Sequence, residues 1–234
     1  MQQNKTNILS TRPLDASLVN TAKQHGIDID ILSFIETEAI QTIEIQQEIE
    51  NALLQSATVV FTSMNAVEAV ADQLQEPPDW SIYCIGTATH KLVKKYFGEE
   101  TIAGTAPNAA ELAELIVEES GSDEVIFFCG DQRRDELPGI LQKNNIEVNE
   151  IVVYHTVAVP HKIKKEYQGI LYFSPSTVES FFRVNKLTGP TLLFAIGNTT
   201  ASEIIKYSTN KIIISDEPGK EHLVKKMINY FSKQ

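Results

Sequence analysis

The sequence predicts an α/β protein made of two doubly wound parallel-sheet domains, and three observations carry that expectation. Short runs rich in Ile, Val and Phe alternate with segments whose apolar residues recur at helical spacing, the pattern of βα units around buried parallel strands. Ten such runs occur in 234 residues. That is too many for one open sheet of this length, so five strands in each of two domains is the natural division. The chain also resembles itself. Displaced by 111 residues, Phe-Thr-Ser-Met-Asn-Ala-Val-Glu at 61–68 lies over Tyr-Phe-Ser-Pro-Ser-Thr-Val-Glu at 172–179, and Tyr-Cys-Ile-Gly-Thr-Ala-Thr at 83–89 over Phe-Ala-Ile-Gly-Asn-Thr-Thr at 194–200. Pro107 falls on Pro218 and Leu112 on Leu223 at the same displacement, and a slightly larger one sets Ile27-Asp28-Ile29 against Ile146-Glu147-Val148. One gapless offset across three consecutive units points to an internal duplication of a five-unit α/β domain.

Taken in order, the strands are expected at 7–10, 27–32, 58–62, 81–85, 100–103, 124–129, 146–153, 169–173, 192–196 and 211–215. Between them the spacing predicts helices, among them 65–75, 87–97, 109–119, 177–184 and 220–231. The duplication leaves two arrangements open. Either the halves are continuous, or the first two units join the last three and the middle five form an inserted domain. Charge hints at the second. Residues 38–152 hold 6 basic and 21 acidic side chains, net −15, while the remainder holds 14 and 10, net +4. Segments 35–40 and 152–157 would then be two extended crossovers.

Composition narrows the function classes. Twenty basic against 31 acidic residues give a net charge of −11, which argues against nucleic acid or an anionic membrane as the main partner. No apolar run reaches the length of a membrane span, and Met1-Gln2-Gln3-Asn4-Lys5 has no signal-peptide core behind it, so a cytoplasmic protein is expected. Cys84 and Cys129 end apolar runs, where a reduced, buried thiol is the simplest expectation, and no Cys/His cluster suggests a metal. G-x-G-x-x-G, G-x-x-x-x-G-K-[ST], G-x-S-x-G and H-E-x-x-H are all absent, which removes support from dinucleotide, P-loop, serine-hydrolase and zinc chemistry.

What remains is a protein that holds an anion. Four strand ends run into helices through Thr62-Ser63-Met64-Asn65, Gly86-Thr87-Ala88-Thr89, Phe173-Ser174-Pro175-Ser176-Thr177 and Gly197-Asn198-Thr199-Thr200. Ligands of open α/β sheets sit at the carboxyl ends of the strands, where helix N-termini offer unpaired N–H groups and hydroxyls add donors. Ser, Thr and Asn are also ordinary helix caps, a role each could fill with no ligand present. Four such loops facing one cleft would suit a large polyanion. Arg12 follows the first strand and Arg133-Arg134 the sixth, positions that could reach such a cleft, though surface placement is the commoner outcome for arginine. Tyr154, in Val-Val-Tyr-His-Thr, could aim its hydroxyl there as a donor or general acid, or pack as a linker aromatic. The five histidines show no ligand spacing.

In order along the chain, Phe-Thr-Ser-x-Asn-Ala-Val-Glu (61–68), Ile-Gly-x-x-Thr (85–89), Val-Tyr-x-Thr (153–156), Phe-Ser-Pro-Ser (173–176) and Ala-Ile-Gly-x-Thr-Thr-Ala (195–201) resemble the uroporphyrinogen-III synthase family. The resemblance implies two flavodoxin-like α/β domains joined by a two-stranded linker: residues 1–34 with 158–234 as a discontinuous domain, 41–151 as an inserted one, and 35–40 with 152–157 as the linker strands. It implies a lyase that cyclises hydroxymethylbilane to uroporphyrinogen III with inversion of ring D and loss of water, in heme biosynthesis, with no metal or organic cofactor. The expected partners are a linear tetrapyrrole polycarboxylate as substrate and hydroxymethylbilane synthase for a transient handover. A monomer is expected, with no nucleic acid and no membrane.

By the same resemblance Tyr154 assists departure of the hydroxyl, and Ser63, Asn65, Thr87, Thr89, Ser174, Ser176, Thr199 and Thr200 surround the substrate, with Arg12 and Arg134 as further contacts. Some members of the family carry arginine where this chain has Asn65, so one charged contact is missing or supplied elsewhere. The alternative function is a non-catalytic two-domain α/β protein that binds an anionic small molecule.

Overall fold

A computed structural model describes residues 6–217 and 219–232; Pro218, used in the repeat comparison, and the opening residues 1–5 lie outside it. The chain begins β1 (Thr6–Ser10), α1 (Ala16–Gln24), β2 (Ile27–Ile31), β3 (Ile35–Ala39) and α2 (Ile43–Leu53). It continues β4 (Ala57–Phe61), α3 (Met64–Ala71), β5 (Trp80–Ile85), α4 (Gly86–Phe97), β6 (Ile102–Ala106), α5 (Ala109–Glu119), β7 (Glu124–Gly130), α6 (Glu136–Lys143) and β8 (Glu147–Ala158). It ends β9 (Gly169–Tyr172), α7 (Pro175–Phe182), β10 (Leu192–Ala195), α8 (Asn198–Ile205), β11 (Ile212–Ile214) and α9 (Lys220–Phe231). No helix among the described residues is long and apolar enough to cross a membrane.

The described residues fall into two compact units, one holding those up to Glu36 and from Val157 onward, the other Thr37–Thr156. The first unit has a five-stranded parallel sheet in the order β11-β10-β9-β1-β2. Counted along the chain this is 2-1-3-4-5, the doubly wound order whose switch point lies between β1 and β9. Neighbouring strand residues face opposite ways, so Ile8, Leu171 and Phe194 pack on α1 and α9 while Leu9, Ile170 and Tyr172 pack on α7 and α8. Both faces are buried, which is why these strands read as continuous apolar runs.

In the second unit the sheet runs β3-β8-β7-β4-β5-β6. Beyond β3 its strands repeat the order of the first unit, with β6, β5, β4, β7 and β8 standing for β11, β10, β9, β1 and β2. The duplication is therefore visible as topology, with its units permuted along the chain. Register agrees as well: Val59 lies opposite Ile82 on β4–β5, and Ile170 opposite Leu193 on β9–β10, each residue 111 positions from its counterpart. Phe61, Ile126 and Phe128 pack with α2, α3 and α4 on one face; Val60, Val125 and Phe127 pack with α5 and α6 on the other.

The expected elements differ in their bounds at several places. A 3₁₀ turn at Glu99–Thr101 delays the fifth expected strand, so β6 starts at Ile102. Helix α3 stops at Ala71 because the chain tightens into i→i+3 bonds, Gln73 N–H to Val70 O at 3.1 Å and Leu74 N–H to Ala71 O at 3.1 Å, ahead of Pro77-Pro78. Residues 35–39, expected as one of the two linker strands, form β3 beside β8, and β8 itself runs on to Ala158 through the other expected linker segment.

Candidate functional site

In the second unit the switch point lies between β4 and β7, and the chain leaves these strands at Ser63 and Asp131. Ser63 is the N-cap of α3: its Oγ accepts the Asn65 N–H at 3.2 Å. The Tyr154 hydroxyl, arriving on β8, donates to the same oxygen at 3.1 Å. Ser63, Asn65 and Tyr154 are thus brought together. Asn65 and Tyr154 also line a small cavity with Thr37, Ala39, Glu68 and Asp72. The Asp131 N–H bonds to the Tyr154 carbonyl at 3.1 Å, and the Asp131 carboxylate accepts the Thr156 N–H at 2.9 Å.

At the neighbouring strand end, Gly86 turns the chain from β5 into α4 with a left-handed φ of 68°, a conformation that needs glycine. No side chain caps that helix, so its first N–H groups remain available. Thr87 is exposed in the first turn, whereas Thr89 is only 5% exposed and turns inward. The two arginines after β7 part company. Arg133 is held by Glu150 and Asp135, and Arg134 is exposed.

The first unit repeats the pattern at its own strand ends. Ser174 caps α7 through a reciprocal capping box with Thr177, both bonds at 3.3 Å, and its hydroxyl meets that of Ser176 at 2.9 Å. Gly197 is the N-cap of α8 and supplies no side-chain cap; Thr199 is exposed and Thr200 is 1% exposed. Each inward threonine thus matches its counterpart 111 positions away. Arg12 is half-buried just beyond β1, on the first unit's switch point.

Sequence reasoning missed Lys220. It opens α9, whose N-terminus also has no side-chain cap, and its Nζ donates to the Pro13 carbonyl at 3.1 Å. Burial and then the nearby Arg12 charge hold its ammonium below the usual lysine range, partly offset by Asp15. Only the Gly-Lys step before an amphipathic helix could have signalled it. Gly130 and Asp131 were missed too, because their contacts lie 24 and 25 residues away in the chain. Among the described residues no group of three or more His, Cys, Asp or Glu side chains could hold a metal ion.

Comparison with known proteins agrees over most of the chain. The family model described as uroporphyrinogen-III synthase HemD matches residues 16–225. The uroporphyrinogen-III synthase of Saccharomyces cerevisiae is 24% identical over 202 residues, covering 71% of this chain and 73% of that protein. Among solved structures, the uroporphyrinogen-III synthetase of Helicobacter pylori matches with a TM-score of 0.70 at 16% identity, over 96% of this chain and 99% of that one. A mutant uroporphyrinogen III synthase of Thermus thermophilus matches with a TM-score of 0.61 at 14% identity, over 98% and 100%. The likeness to these two structures is one of fold, two parallel-sheet α/β units. The family match spans nearly the whole chain, the strand ends beyond β1 included, and on that ground this chain belongs to the uroporphyrinogen-III synthase family.

Proposed function

We propose that this chain cyclises hydroxymethylbilane to uroporphyrinogen III, inverting ring D and releasing water, a lyase reaction on a small-molecule polycarboxylate. The family match over residues 16–225 carries the reading. Tyr154 is the group assigned to the chemistry. Its phenol donates to Ser63 at the mouth of the strands, and a donor so placed can turn to the departing hydroxyl of the substrate. The hydroxyl takes the proton and leaves as water, and the carbon left behind is an azafulvenium cation. Attack on it by the substituted carbon of ring D forms a spiro intermediate, which rearranges with inversion. The proton lost as the ring regains aromaticity restores the phenol. General acid assistance of this kind contributes about 10²–10⁴-fold; the rest of the task is holding the chain so that inverting closure outruns spontaneous closure.

The carboxylates are taken by neutral donors. In this reading the exposed hydroxyls of Thr87 and Thr199, the capping hydroxyls of Ser63, Ser174 and Ser176, the Asn65 amide and the uncapped amides of α4 and α8 bind substrate. Thr89 and Thr200, expected with them from the sequence, are buried in the same first turns. Arg12 and Arg134 supply positive charge, and Lys220 joins Arg12. The first unit, with 14 basic and 10 acidic residues, is the one whose field favours a polyanion. The same reading makes the protein a cytoplasmic monomer that receives its unstable substrate from hydroxymethylbilane synthase by transient handover.

The test is a coupled assay. Hydroxymethylbilane is generated in situ, this protein is added, and the oxidised products are separated as isomers I and III. Isomer III is expected. Isomer I alone, from protein shown to be folded, overturns the reading in favour of a non-catalytic anion binder.

A further inference from the structure

We infer that Gly130, together with a one-residue bulge at Val153, is the device that positions Tyr154 on Ser63; the functional weight of this rests on the role given to Tyr154 above. Along β7 and β8, Cys129 lies opposite Val152, but Gly130 lies opposite Tyr154, so Val153 is the extra residue. In an unbroken strand neighbours alternate faces. Ile151 and Val153 pack in the core under α2, α3 and α4, and Val152 packs on the opposite side with α5 and α6. By alternation Tyr154 would follow Val152, away from α3. Instead it packs in the same core as Val153, and its hydroxyl meets the first turn of α3.

Turning the ring this way lays it across the backbone of β7, and only glycine leaves room. A Cβ on Gly130 would stand 2.3 Å from Tyr154 Cζ, 2.5 Å from Cε2 and 2.7 Å from the hydroxyl oxygen. Gly130 is not among the glycines with positive φ, so its backbone conformation does not call for glycine. The tyrosine ring does. Asp131, bonded to the carbonyl of Tyr154 and the N–H of Thr156, pins β8 on both sides of the ring.

The atoms an alanine methyl would strike are the far end of a side chain, so Gly130→Ala is expected to leave the fold intact and push the ring off Ser63. Three readouts test this: turnover to isomer III with its KM, the ¹³Cζ resonance of labelled Tyr154, and the thermal midpoint. Turnover should fall as far as in Tyr154→Phe, about 10²–10⁴-fold, with KM little changed and the resonance moved as in Ser63→Ala. In a Tyr154→Ala background Gly130→Ala should add no further loss, and should fold even if the single variant does not. An unmoved Tyr154 resonance, a further loss of turnover in that background, or a double variant that fails to fold overturns the proposal. A moved resonance with Tyr154→Phe at the parental rate upholds the positioning and removes instead the chemical role of Tyr154.

Discussion

The Tyr154 hydroxyl donates to the Ser63 side chain across 3.1 Å, linking β8 to the start of α3 over 91 residues of sequence. Ser63 Oγ also accepts the Asn65 N–H, so both of its acceptor positions are used and its own proton remains to be given. A negatively charged group brought to this end of the sheet would therefore find a hydroxyl with its proton still to give. Capping and anion binding are compatible in one serine because the first uses a lone pair of the oxygen and the second its proton.

With Tyr154 in the proposed role, Tyr154→Phe removes the acid and leaves the packing, so the expected outcome is a fall of about 10²–10⁴ in turnover with product affinity nearly unchanged. Ser63→Ala removes the cap and the donor together. It should weaken product affinity and also cost about 1 kcal/mol of stability, the usual worth of an N-cap. Single-turnover kinetics and urea unfolding of the two variants separate these effects. Equal losses of turnover and affinity in Tyr154→Phe would reassign the phenol to binding.

The paired threonines give a second contrast. Thr87 and Thr199 are exposed in the first turns of α4 and α8, while Thr89 and Thr200 face inward at 5% and 1% exposure. Bulky replacements such as Thr199→Gln and Thr87→Gln should weaken product binding and leave the thermal midpoint in place. Thr200→Gln forces a larger polar group into a packed site and should lower the midpoint, at a cost of roughly 1–3 kcal/mol for overpacking. Calorimetry beside product titration distinguishes the two classes. A stable Thr200→Gln with weakened binding would move Thr200 into the ligand site.

How far the sequence could be read follows from the range of each interaction. The displacement of 111 residues carries strand register with it, because Val59 with Ile82 and Ile170 with Leu193 are copies of one pairing. Ser63 and Ser174 were legible as caps and as candidate donors, since a cap acts on the residues that follow it. The bulge at Val153 was not legible: Ile-Val-Val-Tyr reads as one strand, and nothing local says that two consecutive residues share a face. The partners of Gly130 and Lys220 come from other elements for the same reason. Which threonine of each Thr-x-Thr or Thr-Thr pair turns inward depends on where the helix starts, and sequence places helix ends only to within a residue or two.

Both thiols are free and buried. Burial pushes the Cys129 thiol up to about 11, with the Glu150 charge adding to the rise and Arg133 opposing it; burial raises Cys84 too, against its hydrogen bond with Thr105. The thiolate is the reactive form, so near pH 8 neither residue should react with a soluble disulfide reagent while the protein is folded. The expected trace is two thiols titrated in denaturant and none in buffer. Rapid labelling in buffer at a rate independent of added denaturant would show that one of them is accessible.

Lys220 supplies the pH argument. Its lowered pKa means that the folded protein binds its proton less tightly than the unfolded chain does. For a cation this carries a cost, present below the folded-state pKa and relieved only as pH rises through that value toward the ordinary lysine range. Arg12 is part of the cause, so Arg12→Gln should move the Lys220 titration upward and reduce the cost at neutral pH. A carboxylate placed between the two cations should do the same, because an opposite charge favours the protonated amine. Following the resonance of reductively methylated Lys220 against pH, with and without uroporphyrinogen III, measures both shifts. If product leaves the titration where it was while Arg12→Gln raises it, the two cations face each other but hold no carboxylate, and substrate binding in this unit falls to the hydroxyls and amides alone.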